Sequence, residues 1–328
     1  MTQNILLEHI KKKKISFWIK SFIFLIAASV LYYVLSKNEK LDEYYLAKIQ
    51  LGWENNSALL IIAILLIPLN WSLEAYKWKF LIRKLEQISF IQAIEGVIAG
   101  VTMGFVTPHS IGDYVARIFC LTNPERIKGI GAVFISRISQ FYITLYFGTV
   151  ALIFYAYYII QARNFSYQLN IWFTVFNNIL FVLIYIYHQR IFRYVETKQF
   201  FKRLIPYFEI IKTYSFRELN FILLLSLLRY IVFSVQFILI LIYFDIQLPW
   251  MLMLIGVTFV FFMKSVIPTF LDLGVRETAA VIFFGVFSSD QQNIIFASLT
   301  LWILNLVLPA ILGLFLVYKI DFFNNKKV

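Results

Sequence analysis

Residues 107–117 read TPHSIGDYVAR, and residues 268–277 read PTFLDLGVRE. Each stretch interrupts apolar sequence, and each combines a proline, a glycine, a carboxylate and an arginine. Apolar packing calls for none of these together. Proline ends or kinks a helix because it lacks the N–H that would bond four residues back. An ionisable group on an interrupted helix within a bilayer marks a binding or transport site before anything else. The surrounding sequence sets that context. Of 328 residues, 61% are hydrophobic and 15% charged, with 35 Phe and 20 Tyr. Several apolar runs reach the ~20 residues that span a hydrocarbon core. The expected fold is therefore an all-α polytopic membrane protein.

Working outward from the two breaks, charge asymmetry orders the spans. Lys11 to Lys14 precede a first helix over 15–36. Ala27-Ala28-Ser29 has the small residues of a leader cleavage site, but apolar sequence resumes at Val30, so an uncleaved helix is expected. An acidic outer loop (Glu39, Asp42, Glu43, Glu54) leads to a helix over 57–81, kinked at Pro68 and ending near Lys77, Lys79, Arg83 and Lys84. Segment 88–121, broken at Pro108, is followed by helices over 129–160 and 169–187, then by a basic segment over 188–217. Within it, 191–208 has helical apolar spacing among Arg193, Lys198, Lys202 and Arg203, the pattern of a helix lying on an anionic leaflet. The second half runs as a helix over 218–244, segment 250–287 broken at Pro268, and a helix over 291–318.

Of the 30 Lys and Arg, only Lys37, Lys40, Lys48 and Arg163 fall in the loops assigned to the outside. Lys20, Arg117, Arg137, Arg229, Lys264 and Arg276 fall within membrane segments, and the rest lie on the other side. This positive-inside bias places both termini in the cytoplasm of a bacterial-type inner membrane and accounts for the net charge of +12 without nucleic acid. The plan is about six full helices plus two broken hairpins, eight crossings if all cross. Read as halves 1–163 and 164–328, it is an inverted repeat, an architecture that brings two discontinuous helices to a shared midplane site.

Arg117 and Arg276 are the leading binding residues. A guanidinium stays charged and offers a planar fork matched to phosphate or carboxylate. Asp113, Asp272 and Glu277 are placed to compete for it. The breaks at Thr107, Pro108, Gly112, Pro268 and Gly274 free backbone N–H groups for an anion, while Arg137, Arg229 and Lys264 line or support the same site. A plainer use remains open: Arg117 paired to Asp113 one turn away, Arg276 to Glu277 or Asp272, and Arg137 and Arg229 as counter-ions to Glu95, Glu74 or Asp272. His109 reads as a hydrogen-bonded turn residue, and Asn177, Asn178 and Asn305 as links between helices. The sequence holds no HExxH, P-loop, GxGxxG or GxSxG, and its three His and single Cys have no metal spacing. Neither enzyme chemistry, a metal nor a cofactor is expected.

At the two breaks the chain resembles the lysylphosphatidylglycerol synthase transmembrane-region family, the flippase-like membrane proteins. That family's Gly-x-x-x-x-Pro-x-x-x-Gly-Glu-x-x-x-Arg pattern is matched at Pro108, Gly112 and Arg117, with Asp113 at the Glu position and Gly104 one residue nearer the proline than the pattern has it. Its Gly-Gly-x-Gly-Val-Arg-Glu pattern is matched by Gly274 to Glu277, with Leu271-Asp272 in place of the glycine pair. The resemblance implies the membrane half of a lipid-modifying and lipid-translocating system. No stretch of these residues reads as the soluble aminoacyl-transferase domain of fused relatives, so lysyl-lipid synthesis by this chain alone is not expected. Two functions follow as expectations: translocation of an anionic phospholipid or polyprenyl-phosphate-linked lipid between leaflets, or service as a non-catalytic partner of a membrane glycosyltransferase or other transferase.

Overall fold

The computed structural model describes residues 42–105, 107, 110–159, 161, 165–267 and 274–319. The expected first helix, Pro108, His109, Arg163, Pro268 and Asp272 lie outside the described residues, as does the tail after Lys319. Among the described residues every regular element is helical.

Helix α1 (Asp42–Ile82) takes in three of the acids expected in a loop, Asp42, Glu43 and Glu54. Its one non-helical residue is Asn56 (φ −140°, ψ 35°), whereas Pro68 sits inside the helix. A proline's fixed φ of about −65° is helical, so its ring is accommodated once the bond it cannot make is given up. The departure from helical dihedrals therefore lies at Asn56, twelve residues before Pro68.

The first broken segment is α2 (Phe90–Phe105) and α3 (Ile111–Phe119). A Cβ on Gly96 would meet Cys120, and one on Gly104 would meet Ser110, so α3 runs back along α2. At ~1.5 Å per residue, arms of 16 and 9 residues fall short of a ~30 Å core, as a re-entrant hairpin requires. Helix α4 (Gly129–Phe154) continues through a π turn at Tyr155–Ile159. Next come α5 (Phe165–Glu196) and α6 (Phe216–Tyr243). The Ser215 hydroxyl starts α6 by accepting from the Glu218 N–H, and the Glu218 carboxylate accepts in return from the Ser215 N–H.

A second hairpin pairs α7 (Trp250–Val266) with α8 (Val275–Phe284), whose Phe283 stacks back against Phe259. The chain ends in α9 (Gln291–Trp302), a π turn at Ile303–Val307, and α10 (Leu308–Lys319).

The interfacial helix expected over 191–208 is not formed as one element. Helix α5 takes the segment to Glu196, and an extended Lys198 (φ −90°, ψ 121°) follows it. Short turns at Gln199–Phe201, Ile205–Phe208 and Glu209–Thr213 complete the stretch. Lys198 has already left the helical region, and Pro206, in the first turn of Ile205–Phe208 where its missing N–H has no intrahelical partner to lose, starts a new turn.

Among the described residues five helical stretches are long and apolar enough to cross a membrane: 45–82, 126–159, 171–196, 216–243 and 291–317. Two shorter apolar helices, Phe90–Phe105 and Trp250–Val266, are the long arms of the hairpins. Helices α1 and α6 pack together, α4 packs on α7, and α10 packs on α2. Glycines set the last two crossings. A Cβ on Gly148 would lie 2.3 Å from Cβ of Phe262, and one on Gly313 2.0 Å from Oγ1 of Thr102. Each helix that follows a hairpin thus lies against the long arm of the other hairpin.

Candidate functional site

Where the hairpins meet α1, α4, α6 and the α9–α10 turn, a cavity of about 580 Å³ opens. Among its lining residues are Glu74, Lys77, Thr107, Asp113, Arg117, Arg137, Arg229, Lys264 and Arg276. Arg229 sits at the midpoint of the 28-residue α6, so the site lies deep in the spans.

Asp113 and Glu74 organise the cations. Asp113 is 1% exposed; its Oδ1 accepts from Arg117 Nε at 2.7 Å and its Oδ2 from Arg137 Nη2 at 2.6 Å. Glu74, on α1, accepts from Arg117 Nη1 at 2.9 Å through Oε1. Its Oε2 accepts from Lys77 Nζ at 2.9 Å and from Arg229 Nη1 at 3.1 Å. The Ser136 hydroxyl donates to Glu74 Oε1 at 3.1 Å. Arg229 is held further by Asn70 Oδ1 at 2.9 Å, between the rings of Trp71 and Phe233. From Asn70 a buried amide chain continues through Asn305, in the π turn, to Gln236 and the carbonyl of Ala63. Extra backbone length at a π turn is a common way to aim a functional side chain.

On the second hairpin, Arg276 donates through Nε to Ser298 Oγ at 2.8 Å and through Nη2 to Glu277. Glu277 Oε2 also accepts from the Gly274 N–H at 2.8 Å. Gly274 has φ +89°, a conformation that side chains rarely adopt, which explains a glycine at the start of α8. In the first hairpin Thr107 closes the break: its hydroxyl donates to the Met103 carbonyl at 2.9 Å and accepts from the Gly112 N–H at 2.8 Å. A Cβ on Gly112 would lie 2.1 Å from the Met103 oxygen, so only glycine lets the arms close this tightly. Thr107, Gly112 and Gly274 therefore shape the breaks, whereas the arginines and carboxylates occupy the cavity. Non-helical backbone at membrane depth is tolerated where it lines such a space.

Family comparison agrees with the two motifs. A model of the lysylphosphatidylglycerol synthase transmembrane region matches residues 17–313. The chain belongs to that family. No curated protein and no solved structure matches it. Membership and the long apolar helices together make it a multi-pass membrane protein with a membrane-lipid-related setting. On this transmembrane-region framework the two arginines expected from the motifs face one cavity, and both the pairing and the lining readings hold at once. Arg137 pairs with Asp113, a partner not assigned to it from the sequence, while Arg229 does find Glu74. Lys264 lines the cavity half-buried. Asn178 bridges to Thr149 at 2.7 Å, while Asn177 bonds its own helix at Phe173.

Lys77 is the residue the sequence misplaced. Grouped with Lys79 and Arg83 as a cytoplasmic-end cation, it is 1% exposed and paired inside the site. A signal was present: Asn70, Glu74 and Lys77 stand at i, i+4 and i+7, one helix face.

Proposed function

We propose that this protein binds the anionic head group of a membrane lipid in the cavity and carries it between leaflets. The observation that carries this reading is four arginines from α3, α4, α6 and α8 lining one cavity among membrane-spanning helices. A permanently charged group at bilayer depth costs about 2.5–3.5 kcal/mol on insertion scales, and four together make little sense as packing alone. Phosphate is the anion best matched to several guanidinium forks.

The reciprocal packing of α4 on α7 and α10 on α2 supports an inverted repeat, with halves 1–163 and 164–328. In that arrangement each re-entrant hairpin opens toward its own face, and alternate exposure of the two hairpins moves the head group. The charge asymmetry places the termini in the cytoplasm of a bacterial-type inner membrane. Without a nucleotide-binding loop in the sequence, the movement is taken to be downhill or coupled to an ion gradient.

The test is a leaflet-exchange assay in proteoliposomes with a fluorescent anionic phospholipid. Wild type should exchange the lipid, and an Arg117→Ala/Arg276→Ala variant that elutes as folded protein should not. Exchange at the wild-type rate by that variant removes both residues from the mechanism.

A further inference from the structure

The charges and open hydrogen-bond donors of the cavity bear on the class of head group it holds. Lys264, which has an interaction of its own, can be left out of the count. Lys77, Arg117, Arg137, Arg229 and Arg276 then stand against three carboxylates among the described residues, Glu74, Asp113 and Glu277. Two positive charges are in excess. In a low-dielectric site an uncompensated charge is costly, so the ligand that fits best cancels it.

Unmet hydrogen bonds point the same way. Each guanidinium is fixed through two of its nitrogens and leaves one terminal nitrogen without a hydrogen bond among the described residues. These are Nη2 of Arg117, Nη1 of Arg137, Nη2 of Arg229 and Nη1 of Arg276. Among the described residues two lining groups are buried without a partner, Nε1 of Trp71 and the hydroxyl of Tyr230, a residue 5% exposed. Against these donors stands, among the described residues, one unmet acceptor in the lining, Oε1 of Gln140. Buried polar atoms are normally satisfied; Trp71 Nε1 and the Tyr230 hydroxyl break that rule, and together with the four open guanidinium nitrogens of the lining they suit a ligand rich in acceptor oxygens.

A phosphodiester carries one negative charge, whereas a terminal phosphate carries about −1.5 to −2 at pH 7 and three strong acceptor oxygens. We propose that the cavity selects lipids whose head group is a terminal phosphate or diphosphate over singly charged phosphodiesters. The proposal rests on the lipid-binding reading above and narrows it.

Protein in phosphatidylcholine nanodiscs, titrated at pH 7.5 with dioleoyl-phosphatidic acid or dioleoyl-phosphatidylglycerol, tests it by native mass spectrometry. Phosphatidic acid should bind roughly tenfold more tightly. Arg137→Gln removes one excess charge while Asp113 keeps Arg117, and should shrink that preference to about threefold or less. Equal affinity for the two lipids, or a preference for phosphatidylglycerol, overturns the selectivity and leaves the lipid-binding reading standing. Binding of neither overturns both. Inorganic diphosphate serves as competitor; displacement of the lipid at equal concentration assigns the site to a soluble anion and overturns the lipid source.

Discussion

Glu74→Gln is the most informative perturbation of the site. Glu74 accepts from Lys77, Arg117, Arg229 and Ser136 and is 3% exposed. The amide keeps the shape and one acceptor but removes the charge that three buried cations share. Breaking a buried ion pair by removing one partner costs about 3–5 kcal/mol, mostly because the other charge is left uncompensated. Over 328 residues, an unfolding entropy of about 2.1 cal/mol/K per residue converts this to a fall in Tm of roughly 4–7 °C. Thermal melts of detergent-purified protein, followed by the monodisperse peak on size exclusion, read it directly. The second arm is Glu74→Gln/Lys77→Met, which replaces the cation one turn along α1, 2.9 Å from Glu74, by an apolar chain of similar length. Since an apolar pair often substitutes for a buried ion pair without loss, the double variant should recover most of the fall. A single variant melting within about one degree of wild type, or a double variant melting below the single, would refute the view of Glu74 as the shared counter-ion.

Three further outcomes follow from the packing and the surface. Gly112→Ala places a methyl 2.1 Å from the Met103 carbonyl and should cost about 1–3 kcal/mol, read in the same melt; an unchanged Tm would mean the hairpin arms sit farther apart. Gly148→Ala and Gly313→Ala strike the two reciprocal crossings and should destabilise by comparable amounts, so a loss from only one argues against equivalent roles for α4 and α10. Glu209, beyond the spans, has its carboxyl held below the ordinary range by hydrogen bonding to and the charge of Lys212. A depressed folded-state value means the pairing contributes above the ordinary carboxylate range and is lost on acidification. The protection of the 209–213 amides, corrected for intrinsic exchange, should fall below about pH 4 and stay flat near neutrality, and Lys212→Met should weaken the step, with Lys128 still 3.6 Å from Glu209.

Much of the architecture was legible because a bilayer imposes few solutions. Length, apolarity and the placement of Lys and Arg gave the spans, and proline with glycine in apolar sequence gave the breaks; α6 and the α9–α10 pair begin within two residues of expectation. What failed were features decided by packing. Asn56 leaves helical dihedrals within α1, a break that the expected kink at Pro68 did not include. The basic apolar pattern over 191–208 has helical period, but Pro206 and the continuation of α5 divide it. Within the site, both motif arginines could be found from their neighbours, since their partners stand at i−4 and i+1. Glu74, Lys77 and Asn305 could not be joined to them in the same way. Their partners lie on other helices, and Lys77 sits among true end-of-helix cations.

The pairing of Arg117 with Asp113 and Glu74 does not compete with a binding role; it is the condition for one. A guanidinium cannot discharge itself, so an empty cavity in a membrane must carry counter-ions of its own. Asp113, Glu74 and Glu277 supply them, and each grips its arginine on some nitrogens while leaving another open. A site balanced to neutrality would hold no anion; one with every arginine bare would be too costly to build. The described residues fall between, with two charges in excess when Lys264 is set apart. That intermediate state suits a carrier better than a store. The resident carboxylates can take the guanidiniums back as the head group leaves, so release does not require four naked charges to face the hydrocarbon core.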